Sequence, residues 1–307
     1  STLKKNTAFV KKIRNLTESS KESLLKDFEG LNLSKYVAEV ATAITEPKVK
    51  MTDIPFMLRL CSLMHRRYSD FSSLLFDAWK KVFSQQKTEK APNLSKLRVD
   101  LVFFADSITT GVLPENDSVR LLALQLTQLT NGDKNFVNIG IVSSFVKACG
   151  DDWAGLIPRK YTSLAKTYGV TIHRSAFLPK ERKTKCRGLF HDYYTAALER
   201  LTSMAKEARR VIASNRHQMF TKGEVHPERH EKEEQLVAAC KKFYEAVSVL
   251  ADVVDKDAPP AVATLLAVEE DENNGLKAEG QLQASEVRLF VVNNHLGFSL
   301  DTFFSIT

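Results

Sequence analysis

The sequence predicts an all-α fold of stacked helices, on three observations. Glycine and proline are scarce, 12 and 9 in 307 residues, and fall between periodic segments, whereas a sheet-rich fold of this size needs more turn residues. Apolar residues recur at helical spacing along nearly the whole chain, as in Leu97, Leu101, Phe104 and Ile108, an i, i+4, i+7, i+11 stripe. No alternation of apolar and polar residues lasts long enough for a sheet, and a stretch such as Val170-Thr171-Ile172 is too short to carry a core.

The elements follow in order. Leu3–Leu16 reads as a short basic amphipathic helix, and Lys21–Glu29 as a second, opened by Ser19 or Ser20 and closed by Gly30. Ser34 is a plausible N-cap for Lys35–Ile44, which Pro47 terminates. Asp53 precedes Ile54–Tyr68, with Pro55 in the first turn, where its missing N–H costs nothing. Phe71–Ser84 follows, then the Leu97 stripe ending at Gly111, then Glu115–Leu129 behind Pro114. Asn138–Cys149 is apolar on most sides, which predicts a central buried helix ended by Gly150, and Pro158–Tyr168 is a shorter one. From Pro179 a long helix is predicted to about Phe220. Its stripe is Phe190, Tyr194, Ala197, Leu201, Met204, Ala205, Ala208, Ile212 and Met219, with Gly188 a point for a break or bend. Pro227 opens a last helix with the face Leu236, Cys240, Phe243, Val247, Leu250 and Val254. Two long helices and a short turn make a helical hairpin over about 180–255. Residues 258–280, with the run Glu269-Glu270-Asp271-Glu272, read as an acidic linker, and 281–307 as an apolar tail. The helical domain proper is therefore 1–257.

Apolar residues at 43% and charged residues at 26% support a sizeable core. Cys61, Cys149, Cys186 and Cys240 are widely spaced, which predicts reduced thiols in a cytosolic or nuclear protein. No apolar run reaches bilayer length. A chain that opens on Ser1 rather than methionine reads as a piece of a longer polypeptide. The net charge of +7 is uneven. From Arg159 to Lys222 there are 15 Lys and Arg against four acidic residues, a local +11, so the remainder sums to −4. A localised basic segment suits an acidic partner, nucleic acid or protein, although a solvated face is the commoner outcome.

Catalytic chemistry finds little footing. Glycines form no phosphate-binding loop, and there is no G-x-S-x-G elbow or HExxH frame. His226 and His230 sit one helical turn apart but lack a third ligand, so a charged helix start is the simpler reading. Asp151-Asp152 beside Trp153 are the nearest thing to an acid–base pair; a role at the start of the following helix explains them more simply. His65-Arg66-Arg67 suits the C-terminal dipole of its own helix. No catalytic residue, metal or cofactor is expected. The candidate contact for RNA or an acidic partner is Lys206, Arg209 and Arg210, opposite the apolar stripe of the long helix. Nearby aromatics lie on that stripe, so any RNA contact should be weak, salt-sensitive and made to phosphates.

Five segments carry a family resemblance, in order: Lys4–Ile13; Gly30–Glu39; Leu60–Tyr68; Cys149-Gly150-Asp151-Asp152-Trp153-Ala154-Gly155-Leu156-Ile157-Pro158-Arg159-Lys160; and Lys222-Gly223-Glu224-Val225 with His230. Together, from about Leu3 to about Ala251, they resemble the first middle domain of the up-frameshift two family of nonsense-mediated mRNA decay. The resemblance implies a HEAT-like helical-hairpin solenoid of the initiation factor 4G middle-domain type, and a non-catalytic scaffold or spacer role in mRNA surveillance in the cytoplasm, partly perinuclear. It implies three such domains in a row in the full protein. The up-frameshift one helicase would be met by a C-terminal tail and the up-frameshift three protein by the third middle domain. No partner-binding residue carries over to this segment. The tail departs from the family, with Glu286-Val287-Arg288-Leu289-Phe290 only a loose echo of it. The alternative function is another middle-domain scaffold, of translation initiation or cap binding, that docks an RNA helicase; an enzyme whose site is assembled from distant residues is the other rival.

Overall fold

The computed structural model describes residues 2–88 and 93–268. They form twelve α-helices and, among the described residues, no strand: α1 Thr2–Arg14, α2 Lys21–Gly30, α3 Val37–Thr45, α4 Ile54–Arg67, α5 Phe71–Thr88, α6 Leu94–Thr109, α7 Glu115–Asn131, α8 Ile139–Ala154, α9 Arg159–Thr167, α10 Lys180–Lys222, α11 Pro227–Val253 and α12 Val262–Leu265. The predicted helices all appear, and the boundaries that moved did so for local reasons. Ser34 does not cap α3. Its N–H and hydroxyl both donate to Asn32 Oδ1, which holds a turn and delays the helix to Val37. α10 runs unbroken through Gly188. Beyond 268, the rest of the acidic linker and the 281–307 tail lie outside the described residues.

The described residues fall into two compact units, one within Ser1–Arg200 with Tyr244–Pro259, the other Leu201–Phe243 with residues 260–268. In the first unit, helices two apart in sequence pack together: α1 on α3, α3 on α5 and α5 on α7 in one row, α4 on α6 and α6 on α8 in another. Sequence neighbours α4 and α5, α6 and α7, and α7 and α8 tie the rows together. This is the packing of a helical-hairpin solenoid.

The core of this unit follows the stripes. Phe71, Leu75, Trp79 and Phe83 recur every four residues on α5 and are fully buried. Trp79 meets Phe103 and Phe104 of α6 edge-on, at 5.4 and 5.8 Å between ring centroids, and Phe83 meets Phe104 at 5.2 Å. Each such pair adds about 0.5–1.5 kcal/mol beyond the area it buries. Arg67 has a use its position does not advertise. Its guanidinium lies 4.4 Å over the Phe28 ring and donates to Phe28 O at 2.7 Å, so it caps the C-terminus of α2 rather than serving its own helix.

Gly150 was expected to end α8, but the helix continues to Ala154 and closes on Gly155 at φ +61°. Leu156 N–H returns to Gly150 O at 3.0 Å, the αL closure that favours glycine. A Cβ on Gly150 would meet Leu156 O at 2.8 Å, so glycine there answers a close backbone approach inside the helix.

In the second unit, Leu201, Ala205, Ala208 and Ile212 of α10 and Val237 and Cys240 of α11 are buried. The expected stripe does not reach Met219, which is 52% exposed. Asn215 takes the next inward place and makes a polar clasp, donating to Arg229 O at 3.1 Å and Glu233 Oε2 at 2.8 Å while accepting from Arg229 Nε at 3.0 Å. On α11 the inward position is Val237, and Leu236 and Phe243 are only half-buried.

Candidate functional site

The predicted contact residues lie on the outer face of α10 in the second unit. Lys206 and Arg210 are exposed and Arg209 is half-buried. Among the described residues their side chains enter no ion pair. At 3.6 residues per turn, His217 and Phe220 fall within about 40° of Lys206 on the same face. Phe220 is 90% exposed. The expectation that aromatics keep to the apolar stripe therefore fails at the end of the helix, where the stripe has already given way to Asn215. The residue missed was legible at helical spacing, fourteen positions after Lys206.

Elsewhere in the basic segment, cations are engaged in the fold of the first unit. Arg174 Nε pairs with Asp151 Oδ1 at 2.8 Å, and its NH2 donates to Gly155 O at 2.6 Å. Arg187 donates to Ala154 O and Gly155 O at 3.0 and 3.1 Å, and Lys183 Nζ to Ser175 O at 2.6 Å. Arg159 pairs with Asp257. The Arg174 and Arg187 contacts neutralise the carbonyl end of α8, the Lys183 contact holds the segment before α10, and the Arg159 pair pins the chain after α11. Sequence spacing hides them because the partners lie eight to 98 residues away.

The paired carboxylates do not open the following helix, as expected, but sit in the last turn of α8. Acids there oppose the helix dipole, and Asp151 is compensated by Arg174 and by Ser175 N–H at 2.6 Å. Asp152 instead acts on Asp106. Burial pushes the Asp106 carboxyl up to about 6, the Cys149 thiol beside it lowers it, and the Asp152 charge raises it. Cys149 Sγ lies 3.6 Å from Asp106 Oδ1, and burial holds its thiol well above the ordinary range. Cys186 is pushed up to about 12 by burial. Neither supplies a ready thiolate nucleophile.

His226 and His230 are exposed, their Nδ1 atoms 4.0 Å from Glu228 Oε2 and 3.4 Å from Glu234 Oε1. Among the described residues no three His, Cys, Asp or Glu side chains converge as metal ligands, and no described helix is long and apolar enough to cross a membrane. Around α9 a patch of Tyr161, Leu164, Tyr168 and Val170 is exposed, Tyr168 to 75%. Contiguous apolar surface of this kind marks protein contact sites.

No protein-family model matches the chain. The chain is 38% identical over 260 residues to the regulator of nonsense transcripts 2 of Mus musculus, a match covering 84% of this chain and 20% of that protein, so it spans about a fifth of this relative's length. Its fold is similar to the crystal structure of the first MIF4G domain of human nonsense mediated decay factor UPF2, with TM-score 0.80, 38% identity and 84% of each chain covered. The N-terminal mIF4G domain of Saccharomyces cerevisiae Upf2 matches in fold, with TM-score 0.63 at 20% identity over 84% of this chain and 88% of that one. The human domain is 38% identical and matched over 84% of both chains, and on that ground the chain belongs to the family of the first MIF4G domain of the nonsense-mediated decay factor UPF2.

Proposed function

We propose that this chain is a non-catalytic scaffold domain of a nonsense-mediated mRNA decay factor, acting in the cytoplasm, partly perinuclear. The observation that carries the reading is the 38% identity to the human UPF2 domain over 84% of both chains. The exposed apolar patch at α9 supports it, since a scaffold needs surface for other proteins. Contacts to the up-frameshift one helicase and the up-frameshift three protein would be made by other parts of the full-length protein, and this domain would set spacing and add contacts of its own. The test is a reporter mRNA with a premature stop codon, in cells whose only copy of the full-length protein lacks this domain. Reporter accumulation, with the truncated protein present at normal level, is the expected result; normal decay overturns the reading.

A nucleic-acid contact is proposed on α10, at Lys206, Arg209 and Arg210 with Phe220 at the end of the same face. A basic face tracks phosphates, and an exposed aromatic ring offers one stacking surface.

A further inference from the structure

We propose that a cleft in the first unit, between α7 and the first turns of α10, docks an acidic amphipathic segment of a partner protein. A large apolar side chain of the partner would enter the cleft, and its carboxylates would pair with Arg182 and Lys185. The cavity holds about 320 Å³, and Val119, Leu122, Leu126, Trp153, Leu178 and Leu189 give it an apolar lining. Ala123 and Thr127 on one wall and Arg182 and Lys185 on the other are exposed, so it opens at the surface.

The charge around the cleft says what suits it. Residues 180–187 carry five cations and one acid, Glu181, in the first turns of α10. Positive side chains at a helix N-terminus oppose the macrodipole, so this concentration is costly unless anions answer it. Lys183 and Arg187 are answered by the carbonyls of Ser175, Ala154 and Gly155. Arg182 and Lys185 stand at the cavity rim, one turn apart, with no ion pair among the described residues. The Trp153 indole lines the cavity at 3% exposure, and its Nε1 is buried without a hydrogen-bond partner. A buried donor left in that state is costly, and an acceptor brought in by a partner would relieve it.

Apolar lining with cations confined to the rim fits a helix or strand with one greasy edge and acidic flanks. It fits a nucleic acid poorly, because Trp153 presents no open ring face for a base. A small-molecule site would call for several convergent polar groups inside; here the buried indole N–H is joined only by the Cys186 thiol and by the Thr127 hydroxyl, which already donates to Ala123 O on its own helix.

The test uses the whole chain, labelled with nitrogen-15, and a synthetic peptide with leucines at helical spacing and glutamates elsewhere. The chain has two tryptophans, so two indole N–H signals report: Trp153 in the cleft, identified by its loss in Trp153→Phe, and Trp79 in the α5–α6 core. The peptide should shift the Trp153 signal saturably and leave Trp79 in place. The double variant Arg182→Glu/Lys185→Glu should weaken binding about tenfold or more, since like charges now face each other. Ala123→Glu, on the exposed opposite wall, should also weaken it. The proposal is overturned by no binding, by equal binding of a peptide with lysine for glutamate, by indifference to both variants, or by uridine-rich RNA displacing the peptide from the cleft. Unchanged urea midpoints for the two surface variants exclude unfolding as the cause of any loss.

Discussion

Lys96 and Asp100 form an ion pair of 2.7 Å one turn apart on α6, and the carboxylate is almost wholly buried. Lys96 Nζ also donates to Thr45 O at 2.9 Å, and Gln86 Nε2 reaches Asp100 at 3.2 Å, so one lysine joins α6 to the end of α3 while α5 supplies the amide. Burial pushes the Asp100 carboxyl up to about 6, and Lys96 and Gln86 oppose that.

Lys96→Met therefore strands a buried carboxylate. The expected loss at pH 7 is about 3–5 kcal/mol, typical of breaking one side of a buried pair. The pH dependence has a definite sign. A carboxyl with a raised folded pKa contributes stability below its unfolded value of 3.8, and loses it as pH rises through about 6. At pH 5 Asp100 is already largely neutral, so the lysine matters less and the variant should lose less than at pH 7. Urea melts at the two pH values check this. An equal loss at both would mean that the lysine acts only through Thr45.

Two glycines should respond in opposite directions. Gly155 closes α8 at φ +61°, and a Cβ there would meet Arg187 NH2 at 2.7 Å, displacing a guanidinium that caps the helix. Gly155→Ala should cost at least the roughly 1–2 kcal/mol of a left-handed non-glycine residue. Gly188 lies inside α10, and a Cβ there meets nothing within 4 Å. Gly188→Ala should gain roughly 0.5–1 kcal/mol by removing unfolded-state freedom. Thermal melts of both variants give the comparison. A stabilised Gly155→Ala would contradict the cap geometry.

The helices were legible because their cores repeat at helical spacing: Leu97, Leu101, Phe104 and Ile108 are all buried, as the stripe requires. Part of what escaped the sequence was set by partners distant along the chain, and part by local backbone approaches that composition does not show. Arg67 caps α2 from 36 to 39 residues away, and nothing beside it marks that use. Gly150 looks like a helix stop because composition does not show that Leu156 folds back over it. Met219 kept the apolar period yet is exposed, since periodicity says which face a residue shares and not how far the opposing helix extends. Of the candidate contact, Lys206, Arg209 and Arg210 were legible as a face. The roles of Arg174 and Arg187 at α8 were not, because their partners, the Asp151 carboxylate and the Ala154 and Gly155 carbonyls, are brought near only by folding.

Core substitutions in the hairpin should separate by burial. Leu201 is fully buried, and Leu201→Ala is expected to cost about 2–5 kcal/mol through lost transfer energy and a residual cavity. Phe243 is half-buried, so Phe243→Ala should cost less despite the larger side chain. Denaturant melts that rank them the other way would show that the half-exposed ring carries contacts worth more than its buried area.

The outer face of α10 gives the remaining test. If Lys206, Arg209 and Arg210 hold phosphates, uridine-rich RNA should bind the chain with an affinity that falls steeply with salt and varies little with sequence. Reversing the three to Glu should abolish that binding and flatten the salt slope. Stability should shift by only about 0.5 kcal/mol per site where the side chain is solvated, with Arg209, half-buried, the one position where more is expected. Phe220→Ala separates the two contributions on this face. A stacking ring is worth about 1–3 kcal/mol per base and is insensitive to salt, so its loss should weaken binding while leaving the salt slope unchanged. Fluorescence anisotropy across a salt series, wild type against both variants, reads all of this. Equal affinity for wild type and the triple reversal would mean that the face is merely solvated, and would leave the domain with protein contacts alone.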